Sequence, residues 1–265
     1  MSAPTSVRIP VGGTVLVLGV LSVLLCLVSL AVGSHSLTLE EVAGAFVPGR
    51  TTVASVIVWQ LRMPRTVLAV MVGASLAVAG VVMQGLTRNP LAEPGILGIN
   101  AGASLSVVLS MSLLGLTDVS DFLWFAFAGA ALAAFLVHLM SVCSADAGPA
   151  RLVLAGVALG ASLRSITGTI TMYDSVTFDS YRFWVLGSLA DRDTVLLVWV
   201  VPFLVVGLVL ALASGLTLNA LALGEEQAKA LGVSPRRARA LALTSITLLC
   251  GASTAAVGPI SFVGL

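Results

Sequence analysis

LRMPRTVLAVMVGASLAVAGVVMQGLTRNPLAEPGILGINAG, residues Leu61–Gly102, decides how this chain folds. A paired-arginine turn opens the stretch, and Thr66–Leu86 then runs apolar for about the roughly 20 residues that a helix needs to cross hydrocarbon. The polar, proline-broken loop Thr87–Gly95 closes it, and a second apolar segment restarts at once with glycines at Gly98 and Gly102. Soluble domains rarely use this order. It reads as a membrane helix that delivers the chain to a functional loop.

The composition of the 265 residues agrees. Only 9% are charged and 58% are hydrophobic, whereas a soluble domain carries about a quarter charged residues and needs them to cover its surface. The length rule gives about seven spans: Val11–Val32, Thr66–Leu86, Ile96–Leu114, Phe122–Val142, Arg151–Met172, Thr194–Ser214 and Ala238–Val257. Runs such as VLVLGVLSVLLCLVSLAV lack the alternation of a membrane β-barrel strand, so the fold class is all-α and polytopic. The first apolar run is longer than the apolar part of a signal peptide and is read as a retained helix. Cys26, Cys143 and Cys250 fall in or beside separate spans, without metal-ligand spacing or an implied disulfide. The formal charge of +1 and the absence of a basic run give no sign of a nucleic-acid partner.

Placing the N-terminus in the cytoplasm puts the densest basic cluster, Arg236–Arg239, inside with Arg8, Arg88, Arg151 and Lys229. Arg50, Arg62, Arg65, Arg182 and Arg192 then lie outside with most of the acids, among them Asp191 and Asp193. Three segments exceed what a hairpin requires. Gly33–Gln60 contains SLTLEEVAGAF, which predicts a short surface helix capped by Ser36 or Thr38. Tyr173–Asp193 is a second outer segment, and Gly215–Arg237 is cytoplasmic.

GASLAVAG at Gly73–Gly80 and GASTAAVG at Gly251–Gly258 are each followed by a proline-containing stretch that ends in glycine, PGILG and PISFVG. The two copies run in opposite directions through the membrane, as in an inverted-topology repeat. The repeat predicts helices after the second copy to match those after the first, so the chain reads as incomplete at Leu265.

The candidate working residues fall in three groups. In LNALALGEEQAKALGVSPRRARAL, residues 218–241, glycines Gly224 and Gly232 bound a short helix with Glu225 and Glu226 at its start. Leu223, Ala228, Leu231 and Val233 give it apolar character on the aqueous side, which predicts a docking helix rather than a solvated loop. Arg62 and Arg65 flank Pro64, either snorkelling to the interface or presenting fixed cations to an acidic partner outside. Arg164 sits within a span, where an arginine costs on the order of 2.5–3.5 kcal/mol. It either reaches the nearer interface or faces a wet pathway and favours anionic cargo. His138 reads as packed or headgroup-facing, and Gly98/Gly102 and Gly156/Gly160 as close helix packing. Ser104 and His138 lie on neighbouring spans, but no nucleophile elbow surrounds the serine, so an intramembrane hydrolase is not expected. No G-x-x-x-x-G-K-S/T pattern occurs and Lys229 is the sole lysine, so any ATPase is a separate subunit.

With these residues assembled, the chain resembles the FecCD-type permeases of ABC importers for ferric siderophores, haem and vitamin B12. The anchors are LRMPR at Leu61–Arg65, GASLAVAGVVMQGLTRNPLAEPGILGINAGA at Gly73–Ala103, FWVLGSL at Phe183–Leu189, LNALALGEEQAKALGV at Leu218–Val233 and VGPISFVGL at Val257–Leu265. The resemblance implies a single transmembrane permease domain over residues 1–265, with residues 215–237 as its coupling segment. It implies inverted-repeat subunits of about ten helices, so roughly three more would follow Leu265. It also implies a second permease subunit, identical or paralogous, two ATPase subunits that bind ATP and Mg, and an external substrate-binding protein. Arg62 and Arg65 would meet that binding protein. Gly224, Glu225, Glu226, Ala228, Leu231 and Gly232 would meet the ATPase, and Asn89, Pro90 and Pro94 would form a broken loop near the inner end of the path. Gly98 and Arg164 join that loop as candidate pathway residues, although Arg164 is not part of the family pattern. Ferric siderophore is the expected cargo, carried by alternating access in an inner membrane. Cobalamin or haem, or a remnant that does not transport, are the alternatives.

Overall fold

The computed structural model describes the chain except residues 1–10, 34, 48–51, 117, 143–148, 190–193 and 261–265. Arg8, Arg50, Cys143, Asp191, Arg192, Asp193 and the last five residues of VGPISFVGL therefore lie outside the described residues. Most of the rest is helical: α1 Val11–Ala31, α2 Leu39–Gly44, α3 Val53–Val56, α4 Met63–Thr87, α5 Ile99–Leu114, α6 Val119–Val142, α7 Pro149–Tyr173, α8 Ser175–Val185, α9 Thr194–Ala222, α10 Glu225–Ala230 and α11 Pro235–Val257. Six helical stretches among the described residues are long and apolar enough to span a membrane, and α5 is a shorter apolar helix.

The chain divides into two compact units, with the boundary inside α4 after Leu68. In the N-terminal unit, Leu30, Leu37, Val42, Ala45 and Val58 form a small core. Of the two candidate caps of α2 it is Thr38 that acts, in a capping box: its hydroxyl accepts from the Glu41 amide, and the Glu41 carboxylate accepts from the Thr38 amide. These bonds hold the Glu41 carboxyl below its ordinary pKa, the Thr38 amide contributing most. Ser29 on α1 and Thr66 on α4 share a hydroxyl–hydroxyl bond of 2.8 Å.

One expectation changes here. The segment before Gln60 is not all loop, because helix runs from Val53 into α4 and the continuous stretch reaches Thr87. Its wide π turn, Ile57–Arg62, lies just before Pro64. Proline has no N–H and crowds the carbonyl four residues back, and a wider turn relieves both problems without ending the helix. The outer segment after Tyr173 is likewise helical, since Asp174 caps α8 by accepting from the Val176 and Thr177 amides.

The second unit is packed through small residues. A Cβ on Gly102 of α5 would lie 2.4 Å from the Gly129 carbonyl of α6, and one on Gly129 would lie 2.3 Å from the Gly102 carbonyl. Helices α9 and α11 meet where Gly207 faces Leu249. The buried stretch of α11, Leu249–Val257, is mostly alanine, glycine, serine and threonine.

Candidate functional site

The two glycine-rich octets that look alike in sequence differ in backbone. Gly73–Gly80 lies wholly inside α4, which continues to Thr87. Gly251–Gly258 ends where α11 stops, with Gly258 at φ 95°. That break is tight: a Cβ on Gly258 would come 2.4 Å from the Trp184 carbonyl and 2.9 Å from the Gly187 Cα. The Ser188 amide closes the contact by donating to the Val257 carbonyl at 2.9 Å.

The other break follows α4. Asn89 makes a local turn, its Oδ1 accepting from the Leu91 amide at 3.0 Å, and Gln84 donates to the Pro90 carbonyl at 2.9 Å. Pro94 then opens a 3-10 turn, Pro94–Leu97, that ends at Gly98 with φ 72°. The expected span from Ile96 is thus a turn, a left-handed glycine and then α5, a discontinuous helix of the kind that lines transporter sites. Gly156 and Gly160 of α7 cradle this break, since a Cβ on Gly156 would come 2.0 Å from the Ile96 carbonyl. These glycines pack against a broken turn rather than another whole helix.

Asn100, the second residue of α5, joins the two breaks. Its Oδ1 accepts from the Thr254 hydroxyl of α11 at 2.8 Å, and its Nδ2 donates to the Ile260 carbonyl at 3.5 Å. Neither Asn100 nor Thr254 stood out in the sequence. The available signal was a polar residue two positions after a glycine break in an apolar run.

The segment after α9 has the expected form. Gly224 at φ 118° leads into α10, and Gly232 at φ 78° leads out. The exit is a Schellman motif: Val233 donates to the Ala228 carbonyl at 2.8 Å and Gly232 to the Lys229 carbonyl at 2.9 Å. Glu225 pairs with Arg239 and so ties α10 to the start of α11. Glu226 is exposed, as are Leu223 (66%) and Leu231 (64%), while Ala228 is fully buried. The outward apolar surface therefore belongs to the two leucines, and Ala228 packs inward. Arg88, at φ 53°, donates to the Leu221 carbonyl at the end of α9. One side chain thereby joins the broken loop to the entry of α10, a link that sequence spacing does not reveal.

The paired arginines separate. Arg62 is buried, donating to the Leu30 carbonyl at 2.6 Å and to the His35 carbonyl. It closes the end of α1, and Gly33 leaves room for it, since a Cβ there would sit 2.8 Å from the guanidinium. Arg65 is exposed. Arg164 is exposed on α7, nine residues, or about 13 Å, before the helix ends at Tyr173, with Nε donating to the Gly160 carbonyl at 3.2 Å. His138 lines a groove of about 270 Å³ between α6 and α11, while Ser104 bonds to Tyr181.

Apolar spans, a discontinuous helix held by glycines, and a compact α10 hung between two glycines define a polytopic α-helical membrane protein of the transport-permease class. The FecCD transport family matches residues 20–265, and this chain belongs to that family. It is 43% identical over 239 residues to the ferric enterobactin transport system permease protein FepD of Escherichia coli, covering 89% of this chain and 71% of that protein. It is 42% identical to the Fe(3+)-citrate import system permease protein YfmD of Bacillus subtilis (79% and 62% covered). It is 41% identical to the vitamin B12 import system permease protein BtuC of Serratia proteamaculans (80% and 63% covered). The chain thus spans roughly two thirds of these relatives' lengths. A solved inward-facing structure assigned to the metal-chelate type of ABC transporter superposes with a TM-score of 0.81 at 28% identity, covering 96% of this chain and 79% of the other.

Proposed function

We propose that this chain is the membrane-spanning subunit of an ATP-driven importer for ferric siderophores, working by alternating access in a bacterial inner membrane with its N-terminus in the cytoplasm. The observation that carries the reading is α10. A helix of six residues, pinned by Glu225–Arg239 and entered beside Arg88, is flanked by Leu223 and Leu231, both exposed. Exposed leucines on a rigid element beyond the spans fit the cleft of a partner. That partner is an ATPase subunit, which binds ATP and Mg. Movement of α10 then reaches the broken loop at Asn89–Gly98 through Arg88, and reaches α11 through Arg239. A ligand shifts the two arrangements only to the extent that it binds them unequally.

On the outer face the exposed Arg65 is the cation that meets a substrate-binding protein, and Arg62 holds the segment that presents it. A second permease subunit, identical or paralogous, completes the path. Siderophore cargo is favoured by the ferric enterobactin and ferric citrate relatives; the similarity to a vitamin B12 permease makes cobalamin the second reading. Leu231→Asp tests the docking role: the ATPase should fail to co-purify while the permease stays folded and membrane-inserted. Undiminished co-purification overturns it. Uptake of radio-iron as ferric enterobactin, set against labelled cobalamin, decides the cargo.

A further inference from the structure

Helix α7 packs through Leu152, Ala155, Gly156, Gly160 and Thr167, all buried. In the middle of its apolar span it exposes Ser162, Ser165 and Thr169 on one side and Arg164, about 100° or more round the helix and one turn from Gly160, on another. Hydrocarbon is a poor surrounding for such a surface, since polar groups inside a membrane face the protein interior or water. The hydroxyls are already satisfied within the helix, Ser162 donating to the Ala158 carbonyl at 3.0 Å and Thr169 to the Ser165 carbonyl at 2.9 Å. They need no partner helix, and their outward oxygens suit a wet wall.

Arg164 is different. Its Nε bond to Gly160 fixes the guanidinium against α7, and among the described residues no carboxylate lies close enough to pair with it. Asp121 and Arg236 sit in the first turns of the α6 and α11 spans, and Arg62, within the stretch Val53–Thr87, is held by the carbonyls of Leu30 and His35. Arg164 is thus an unneutralised cation held at depth, where low-dielectric walls strengthen its field.

From this we infer that Arg164 is a cargo-selecting site that favours net-anionic ferric chelates over neutral ones. The inference rests on the proposed reading of the chain as a permease with α7 on its path. Ferric chelates built on catecholate or carboxylate oxygens are anions, because the deprotonated oxygens outnumber the charge on iron. A guanidinium meets such oxygens with paired N–H donors. A ferric centre held by three hydroxamates, with no other ionised group on the ligand, is uncharged and gains nothing from it.

The test measures the local potential in the assembled transporter in membrane vesicles. Cys26 and Cys143 are replaced by alanine, the buried Cys250 is kept, and Gly168→Cys, exposed one turn beyond Arg164 with open space at its Cβ, supplies the reporter, with Ala161→Cys, on the same side one turn before, as a second position. The rates of modification by an anionic sulfonatoethyl and a cationic trimethylammonioethyl methanethiosulfonate are compared. Both reagents should react, and Arg164→Gln should lower the anionic-to-cationic rate ratio by about tenfold, while Arg164→Lys preserves it. Reaction with both reagents at a ratio that Arg164→Gln leaves unchanged overturns the selectivity site and leaves the wet path standing. No reaction at either position overturns the path and the site together.

Discussion

Helices α1 and α11 are both long enough to span a membrane, yet they meet opposite surroundings. In α1, VGGTVLVLGVLSVLLCLVSLA, only 6% of the span is buried, and large aliphatic side chains point outward around its circumference. In α11, PRRARALALTSITLLCGASTAAV, 72% is buried, and the best-covered stretch is made of small and hydroxylated residues. The more apolar helix is the more exposed one. In water that order would be reversed. In lipid, hydrocarbon accepts leucine as readily as a protein core does, so close packing falls to residues that let backbones approach.

The contrast can be broken at its extremes. Gly258→Ala, at the end of α11, adds a Cβ 2.4 Å from the Trp184 carbonyl at a backbone angle that alanine rarely adopts. We expect a loss of about 3 kcal/mol or more, read as a fall in the thermal midpoint in detergent. Ala255→Leu, at a position with no exposure, should cost about 1–3 kcal/mol by overpacking in the same assay. Thr254→Val removes the hydroxyl that Asn100 accepts and should cost about 1 kcal/mol, with Thr254→Ser recovering most of it. On α1 the sign reverses. Gly19 has nothing near its missing Cβ, so Gly19→Ala should be neutral or stabilising by up to ~1 kcal/mol through helix propensity. A destabilisation there as large as that of Ala255→Leu would mean that α1 is covered in the native assembly and would end the comparison.

Much of the site was legible. The proline and glycine pattern of Leu61–Gly102 announces a helix break, because few residues tolerate the required backbone. The short helix between Gly224 and Gly232 is equally plain, since both glycines take positive φ. Other features were hidden for physical reasons. Arg62 and Arg65 are equivalent as sequence, and only the position of the carbonyls at the end of α1 decides that one is buried and the other exposed. Ala228 and Leu231 share an apolar label, but Ala228 within α10 is fully buried and Leu231 at its C-cap is exposed. The likeness of GASLAVAG and GASTAAVG concealed a helix interior in one and a helix end in the other, because the residue after the octet, valine or proline, sets whether the helix goes on.

By itself the sequence determined what the surrounding solvent and local backbone rules control. Span length and apolar content require a polytopic helical membrane protein, and proline and glycine mark where helices break. The tertiary structure alone decided which polar groups meet: Asn100 with Thr254, Arg88 with the end of α9, Arg62 with the end of α1. Each of these contacts joins residues more than thirty positions apart, and its partner is a side-chain oxygen or a carbonyl at a helix end. Which helix end arrives beside which cation is settled by packing, and no local pattern records it.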